Sequence, residues 1–118
     1  MIKQQSKYEV DFIDDFLKVN PDAHAERVAG SGRKQTAKCD VIVIRAGKPF
    51  MVEVKATKHK KFCFSGSQRI EMLGAASKCG AIPILAIRFK HRKWVVVNLL
   101  ERNNWTVHHT EKTIWEMG

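Results

Sequence analysis

Apolar side chains recur at helical spacing near the N-terminus: Tyr8, Phe12, Phe16 and Val19 form one stripe, with Ile13 beside it and Asn20-Pro21 as a stop. That spacing predicts an amphipathic helix over 7–19. A short strand follows at 24–29, and Gly30-Ser31-Gly32 opens a polar, basic loop that runs to Lys38. Segments 39–44 and 49–56 are rich in Val and Ile and are separated by Arg45-Ala46-Gly47-Lys48, the signature of a β-hairpin. Both strands are apolar on both faces, which predicts interior positions in a sheet. Ile70, Leu73 and Ala76 predict a second helix over 67–78, closed by Gly80. The run 82–89, IPILAIRF, reads as a buried strand, followed by a basic turn over 90–93 and a strand over 94–100 that pairs back on it. Residues 104–118 carry no clear period. The order of helix, strands, helix and strands predicts an α/β fold, a sheet with helices packed on it.

Composition narrows the class. A chain of 118 residues and 13.5 kDa is expected to form one domain over 1–118. With 44% hydrophobic and 28% charged residues it matches neither a disordered tail nor a membrane protein, and no apolar run approaches the ~20 residues that span a bilayer. Residues 1–7 lack the apolar core of a secretory signal, so a cytoplasmic location is expected. Cys39, Cys63 and Cys79 are odd in number and widely spaced, which argues against a disulfide framework or a zinc site and predicts reduced, buried thiols. The net charge of +9 points to a polyanionic partner. It is concentrated in 33–61, where nine basic and two acidic residues give a net +7. A membrane surface fits less well, because the polar side of the helix over 7–19 is acidic.

Candidate chemistry lies in the hairpin. If Ala46-Gly47 is a two-residue turn, Asp40 faces Glu53; shifting the turn by one residue puts Asp40 across from Lys55. Either register gathers Asp40, Glu53 and Lys55 on one face. Facing carboxylates repel unless a cation lies between them, and hard oxygen ligands suit Mg²⁺, with Mn²⁺ able to substitute. Two carboxylates and a backbone carbonyl, that of Val54, would hold the ion. The bound ion would polarise a phosphate and lower the pKa of a water, while Lys55 orients that water or steadies developing charge. Glu9 precedes Phe12 and Phe16 on or beside the helical stripe. It is either a third carboxylate that needs a partner in the fold or a boundary residue facing water.

In combination these segments resemble the archaeal-type Holliday junction resolvases of the PD-(D/E)XK nuclease superfamily. The likeness rests on the Glu9 helix, Arg27-Val28-Ala29-Gly30-Ser31-Gly32, Cys39-Asp40-Val41-Ile42-Val43, Val52-Glu53-Val54-Lys55-Ala56-Thr57, the helix from Gln68, and Pro83–Phe89, in that order across 7–100. It implies a restriction-endonuclease-like mixed central β-sheet flanked by helices. It also implies acidic site residues Glu9, Asp40 and Glu53 that bind the metal together with Val54, a catalytic Lys55, a catalytic-loop Ser31, and a DNA contact at Gln68. The activity implied is symmetric, divalent-metal-dependent cutting of four-way DNA junctions by a homodimer, with no organic cofactor. Val10 stands where the family commonly has arginine, and nothing after Glu101 matches the family pattern.

The basic residues Arg27, Arg33, Lys34, Lys38, Lys58, Lys60 and Lys61 flank the candidate site and suit phosphate contacts with little base reading. His24, His59, His91, His108 and His109 lack zinc-ligand spacing, and Trp94, Trp105 and Trp115 are expected to pack. Phe62 and Phe64 either cap a core edge or form a dimer surface. The competing functions are a general or restriction-type nuclease on the same fold, and a non-catalytic nucleic-acid-binding module.

Overall fold

The computed structural model describes residues 3–28, 38–64 and 66–118. Helix α1, Lys3–Val19, begins four residues before the predicted start at residue 7. Phe12 and Phe16 are fully buried. The helix stops where Pro21 disfavours helical geometry at the residue before it, and Asn20 uses both its backbone N–H and its side-chain amide to cap the Phe16 carbonyl.

Strands β1, His24–Arg27, β2, Val41–Arg45, and β3, Lys48–Thr57, follow. Ala46 and Gly47 both adopt positive φ, at 51° and 77°, so the hairpin closes on the two-residue loop whose twist matches the flanking strands. The register Val41↔Val52 and Ile42↔Met51 places Asp40 opposite Glu53 when continued by one residue.

A two-stranded sheet of β4, Lys61–Cys63, with β7, Thr106–His108, lies outside the predicted elements. Helix α2, Gly66–Cys79, ends at Gly80 with φ 75°, and the Ala81 N–H donates to the Ala76 carbonyl. Strand β5, Ile82–Phe89, matches its predicted range, whereas β6, Trp94–Asn98, is shorter than its apolar run. Asn98 accepts from the Leu100 N–H through its side chain and turns Leu99–Glu101 into a 3₁₀ helix.

The central sheet has the order β1-β2-β3-β5-β6, with β3 and β5 parallel and every other pair antiparallel. It is therefore mixed, as expected, and β2 and β3 are interior. The α1 side is closed by Phe12, Phe16, Val41, Val52, Val54 and Trp115, and the α2 side by Met51, Phe64, Met72, Leu85 and Ile87. Phe64 caps a core edge and is fully buried. Cys39 is the buried thiol; Cys63 and Cys79 are exposed, which corrects the expectation of three buried cysteines. Cys63 sits on the small β4–β7 sheet and Cys79 on the last turn of α2, both at the rim of the core. Among the described residues no helix is long and apolar enough to cross a membrane.

Candidate active site

Asp40 sits at the point where the chain enters β2. Its backbone N–H donates to the Val52 carbonyl at 2.9 Å, and its Oδ2 accepts from the Val54 N–H at 2.9 Å. The carboxylate thus replaces the main-chain acceptor that β3 loses where β2 ends. Glu53 lies between Val52 and Val54, which face α1, so strand alternation turns it toward the α2 side, where its β5 neighbour Leu85 also points. Only 7% of Glu53 is exposed, and Lys55, two residues on and on the same face, brings Nζ to 3.2 Å from Glu53 Oε2.

Electrostatics bind these groups into one unit. Burial, followed by the Asp40 charge, pushes Glu53 up to about 7 against the opposing pull of Lys55. Burial also raises Asp40; the Val54 N–H opposes that rise and the Glu9 charge reinforces it. The two carboxyls are close enough to share a proton. The neighbouring Cys39 thiol, pushed up to about 12 chiefly by burial, stays protonated and unreactive.

Glu9 is 7% exposed, so of its two sequence readings the partnered one holds: Arg27 Nε lies 3.0 Å from Glu9 Oε1. It belongs to α1, and its charge acts on Asp40. Among the described residues no three His, Cys, Asp or Glu side chains stand close enough to hold one metal ion. Asp40 and Glu53 form the close pair. The pair itself fits a divalent cation. A buried carboxyl and a half-buried one, both raised by burial, are relieved by a hard cation, and Mg²⁺ is commonly bound through one or two carboxylates with water and phosphate completing its shell.

The predicted DNA contacts divide. Lys58, Lys60, Lys61 and Gln68 are exposed. Lys38 lies 3.5 Å from Glu71 on α2, and Arg27 is engaged with Glu9, so both have acidic neighbours that the sequence did not indicate. Ser31, Arg33 and Lys34 lie outside the described residues. Sequence reasoning missed the Val54 N–H as the group that orients Asp40 and Arg27 as the partner of Glu9. A strand outlasting its neighbour at an acidic residue signals the first; no local spacing signals the second.

Comparison with known proteins identifies the family and the fold. The family model described as archaeal Holliday junction resolvase (hjc) matches residues 22–117, a span that holds Asp40, Glu53 and Lys55 and begins after Glu9. No curated protein matches the sequence. Among solved structures, Archaeoglobus fulgidus Hjc, a Holliday junction resolvase from an archaeal hyperthermophile, superposes with a TM-score of 0.73. The alignment has 22% identity and covers 89% of this chain and 88% of that one, a likeness of fold. With Asp40, the buried Glu53 and Lys55 on such a sheet, and with the family model spanning most of its length, the chain belongs to the archaeal Holliday junction resolvase family, nucleases of the crossover-junction endodeoxyribonuclease type.

Proposed function

We propose that this chain resolves four-way DNA junctions by divalent-metal-dependent phosphodiester hydrolysis, with Asp40, Glu53 and the Val54 carbonyl as the metal-binding groups and Lys55 as the catalytic lysine. The observation that carries this reading is the Asp40–Glu53–Lys55 unit at the start of β2 and on β3, both interior strands, with Glu53 buried, Asp40 and Lys55 half-buried, and both carboxyls raised by burial. A bound Mg²⁺ or Mn²⁺ ion would supply Lewis-acid polarisation of the scissile phosphate and a nucleophilic water at neutral pH. The protein's own groups do the remainder. Asp40 and Glu53 would hold the ion in their ionised forms, and the Val54 N–H orients Asp40 Oδ2 for that role. Lys55 Nζ, already 3.2 Å from Glu53 Oε2, donates to charge that develops on the phosphate oxygens. Glu9, paired with Arg27, adds negative charge that acts on Asp40 and would favour a bound cation.

Ser31 is proposed to approach the DNA backbone, and Arg33, Lys34, Lys58, Lys60, Lys61 and Gln68 to contact phosphates. Symmetric resolution requires two such centres on opposing strands, so the working species is a homodimer. The discriminating experiment incubates the protein and Mg²⁺ with a mobile four-way junction and with linear duplex of the same sequence. Paired symmetric nicks confined to the junction are expected; equal cutting of both substrates would assign a general nuclease instead. Lys55→Met is expected to lower junction cleavage by about 10²–10³-fold, the loss typical of one transition-state donor. Asp40→Asn and Glu53→Gln are expected to abolish cleavage while retaining junction binding, and unchanged cleavage in these variants would refute the site.

A further inference from the structure

Three segments far apart in sequence meet beyond the C-terminal end of β3. The Lys90 N–H donates to the Thr57 carbonyl and the His109 N–H to the Lys60 carbonyl, both at 2.9 Å, while Lys61 pairs with His108 across the β4–β7 sheet. Residues 57–61, 90–93 and 106–109 thus form one surface. It carries Lys58, Lys60, Lys61, Lys90, Arg92 and Lys93 and contains no Asp or Glu. It also carries four of the chain's five histidines, His59, His91, His108 and His109. All ten side chains are exposed except His109, which is half-buried against the Phe89 ring. The nearest acid along the chain, Glu111, is bound by the Arg102 guanidinium at 2.7 Å and by the His108 N–H at 2.9 Å. A groove of about 680 Å³ runs between Lys60, Lys61 and His59 on one side and Thr106 and His108 on the other.

The position of this surface identifies its partner. At ~3.3 Å per strand residue, Thr57 stands ~7 Å beyond Lys55, so the cationic surface continues directly from the candidate active site. Duplex DNA offers a phosphate every ~3.4 Å along each strand, and exposed lysines and arginines bind such a row by releasing counterions. A duplex whose scissile phosphate lies at Lys55 would have its backbone continue over this surface. We propose that residues 57–61, 90–93 and 106–109 form a second DNA contact, which grips the phosphate backbone of one helical arm away from the crossover, and that protonation of its histidines strengthens the grip.

The charges around each histidine support the acid response. His109 faces Arg92, Lys60 and His108; His108 faces Lys61 and the Arg102-bound Glu111; His59 and His91 lie between lysines and arginine in their own turns. Partial burial and then these cations hold His109 below the usual imidazole range, and an arriving phosphate reverses that bias. Each imidazole of this surface that takes up a proton adds to six fixed positive charges with no carboxylate among them.

This inference rests on the resolvase reading for the identity of its ligand, but it is tested by binding alone. Fluorescence anisotropy with a labelled four-way junction, the full chain and EDTA excludes cleavage from the readout. In Lys90→Gln/Arg92→Gln/Lys93→Gln, confined to an exposed turn, the slope of log affinity against log salt is expected to fall by about 2–3, near 0.9 per lost phosphate contact. In His59→Asn/His108→Asn, two exposed positions, the gain in affinity between about pH 8 and about pH 6 is expected to shrink. A turn variant with the wild-type slope overturns the proposal, as does a histidine variant with the full pH response. So does a turn variant that loses binding to phosphatidylglycerol vesicles while keeping junction affinity, which would assign the surface to a membrane. Loss of junction cleavage in the wild-type protein with these binding effects intact would refute the resolvase reading and leave the DNA contact standing.

Discussion

On the α1 side of the central sheet the buried residues of β2, β3, β5 and β6 form an unbroken apolar series: Val41, Val43, Val52, Val54, Ile84, Ala86 and Val96 under Phe12, Phe16 and Trp115. On the α2 side the same strands supply Met51, Leu85, Ile87, Val95 and Val97, but β3 interrupts the series with Glu53 and Lys55. The strands' α1 face carries only apolar side chains at these positions, and the other face places Glu53 and Lys55 on the interior strand β3. Burying a carboxylate costs several kcal/mol unless it is paired, so the α1 face must supply stability that the α2 face forgoes. A strand with period-two alternation allows this division, because adjacent residues of one segment serve opposite faces.

The largest effect expected from breaking the comparison is on the α1 side. Phe16 is fully buried, with its ring 5.9 Å from Phe12 and 4.9 Å from Trp115. Phe16→Ala is expected to cost about 3–5 kcal/mol of stability, the range for deleting a buried aromatic ring. Denaturant unfolding measures the loss, and cleavage per folded molecule is expected to remain at the wild-type level. A variant that folds as stably as the parent yet fails to cut would mean that the two faces are not divided as described.

The pH dependence of stability sharpens the same contrast. Glu53 titrates near 7 when folded and near 4.5 when unfolded, so between these values the native state holds more protons than the unfolded chain. Stability contributed by this group is therefore complete below about pH 4.5 and falls as the pH rises toward 7, by an amount on the order of 2–3 kcal/mol. Asp40, also raised, acts in the same direction. In metal-free protein, Glu53→Gln is expected to flatten this part of the melting-temperature profile. Mg²⁺ added at about pH 8 is expected to raise the melting temperature of the parent more than that of the variant. Parallel profiles for the two proteins would show that the carboxyl is not buried as the geometry has it.

Much of this architecture was legible in the sequence where interactions are local. A two-residue turn at Ala46-Gly47 permits few registers, and one of them sets Asp40 against Glu53; the alternation of Val52, Glu53, Val54 and Lys55 then assigns faces. The Phe12–Phe16 stripe and Gly80 act within a few residues of the elements they define. The Arg27–Glu9 bond was not legible, because it joins residues 18 apart through side chains whose reach depends on how α1 crosses β1. The β4–β7 sheet was hidden for a related reason. Strands of three residues carry almost no period, and Lys61 meets His108 only after α2, β5 and β6 have been placed. Cys63 and Cys79 are exposed because residue type gives an average burial, whereas position at the rim of the core decides the individual case.

The smallest expected effect concerns how the α1 side is finished at the sheet edge. β6 is the last strand, so its outward backbone groups need partners from elsewhere. The C-terminal segment provides them: the Val96 N–H donates to Thr113 Oγ1 at 2.9 Å, the Ile114 N–H donates to the Val96 carbonyl at 2.8 Å, and the Thr113 hydroxyl donates to the Trp115 carbonyl at 2.9 Å. Thr113 is thus both acceptor and donor, and it holds Trp115 against Phe16 and Phe50. Thr113→Val keeps the shape but leaves the Val96 N–H without its acceptor, at an expected cost of about 1–3 kcal/mol. Thr113→Ser keeps the hydroxyl and is expected to restore most of that loss in the same unfolding measurement. If valine and serine are equally tolerated, the tail is held by the burial of Trp115 alone, and the α1 face owes its closure to packing with no contribution from the hydrogen bonds at its edge.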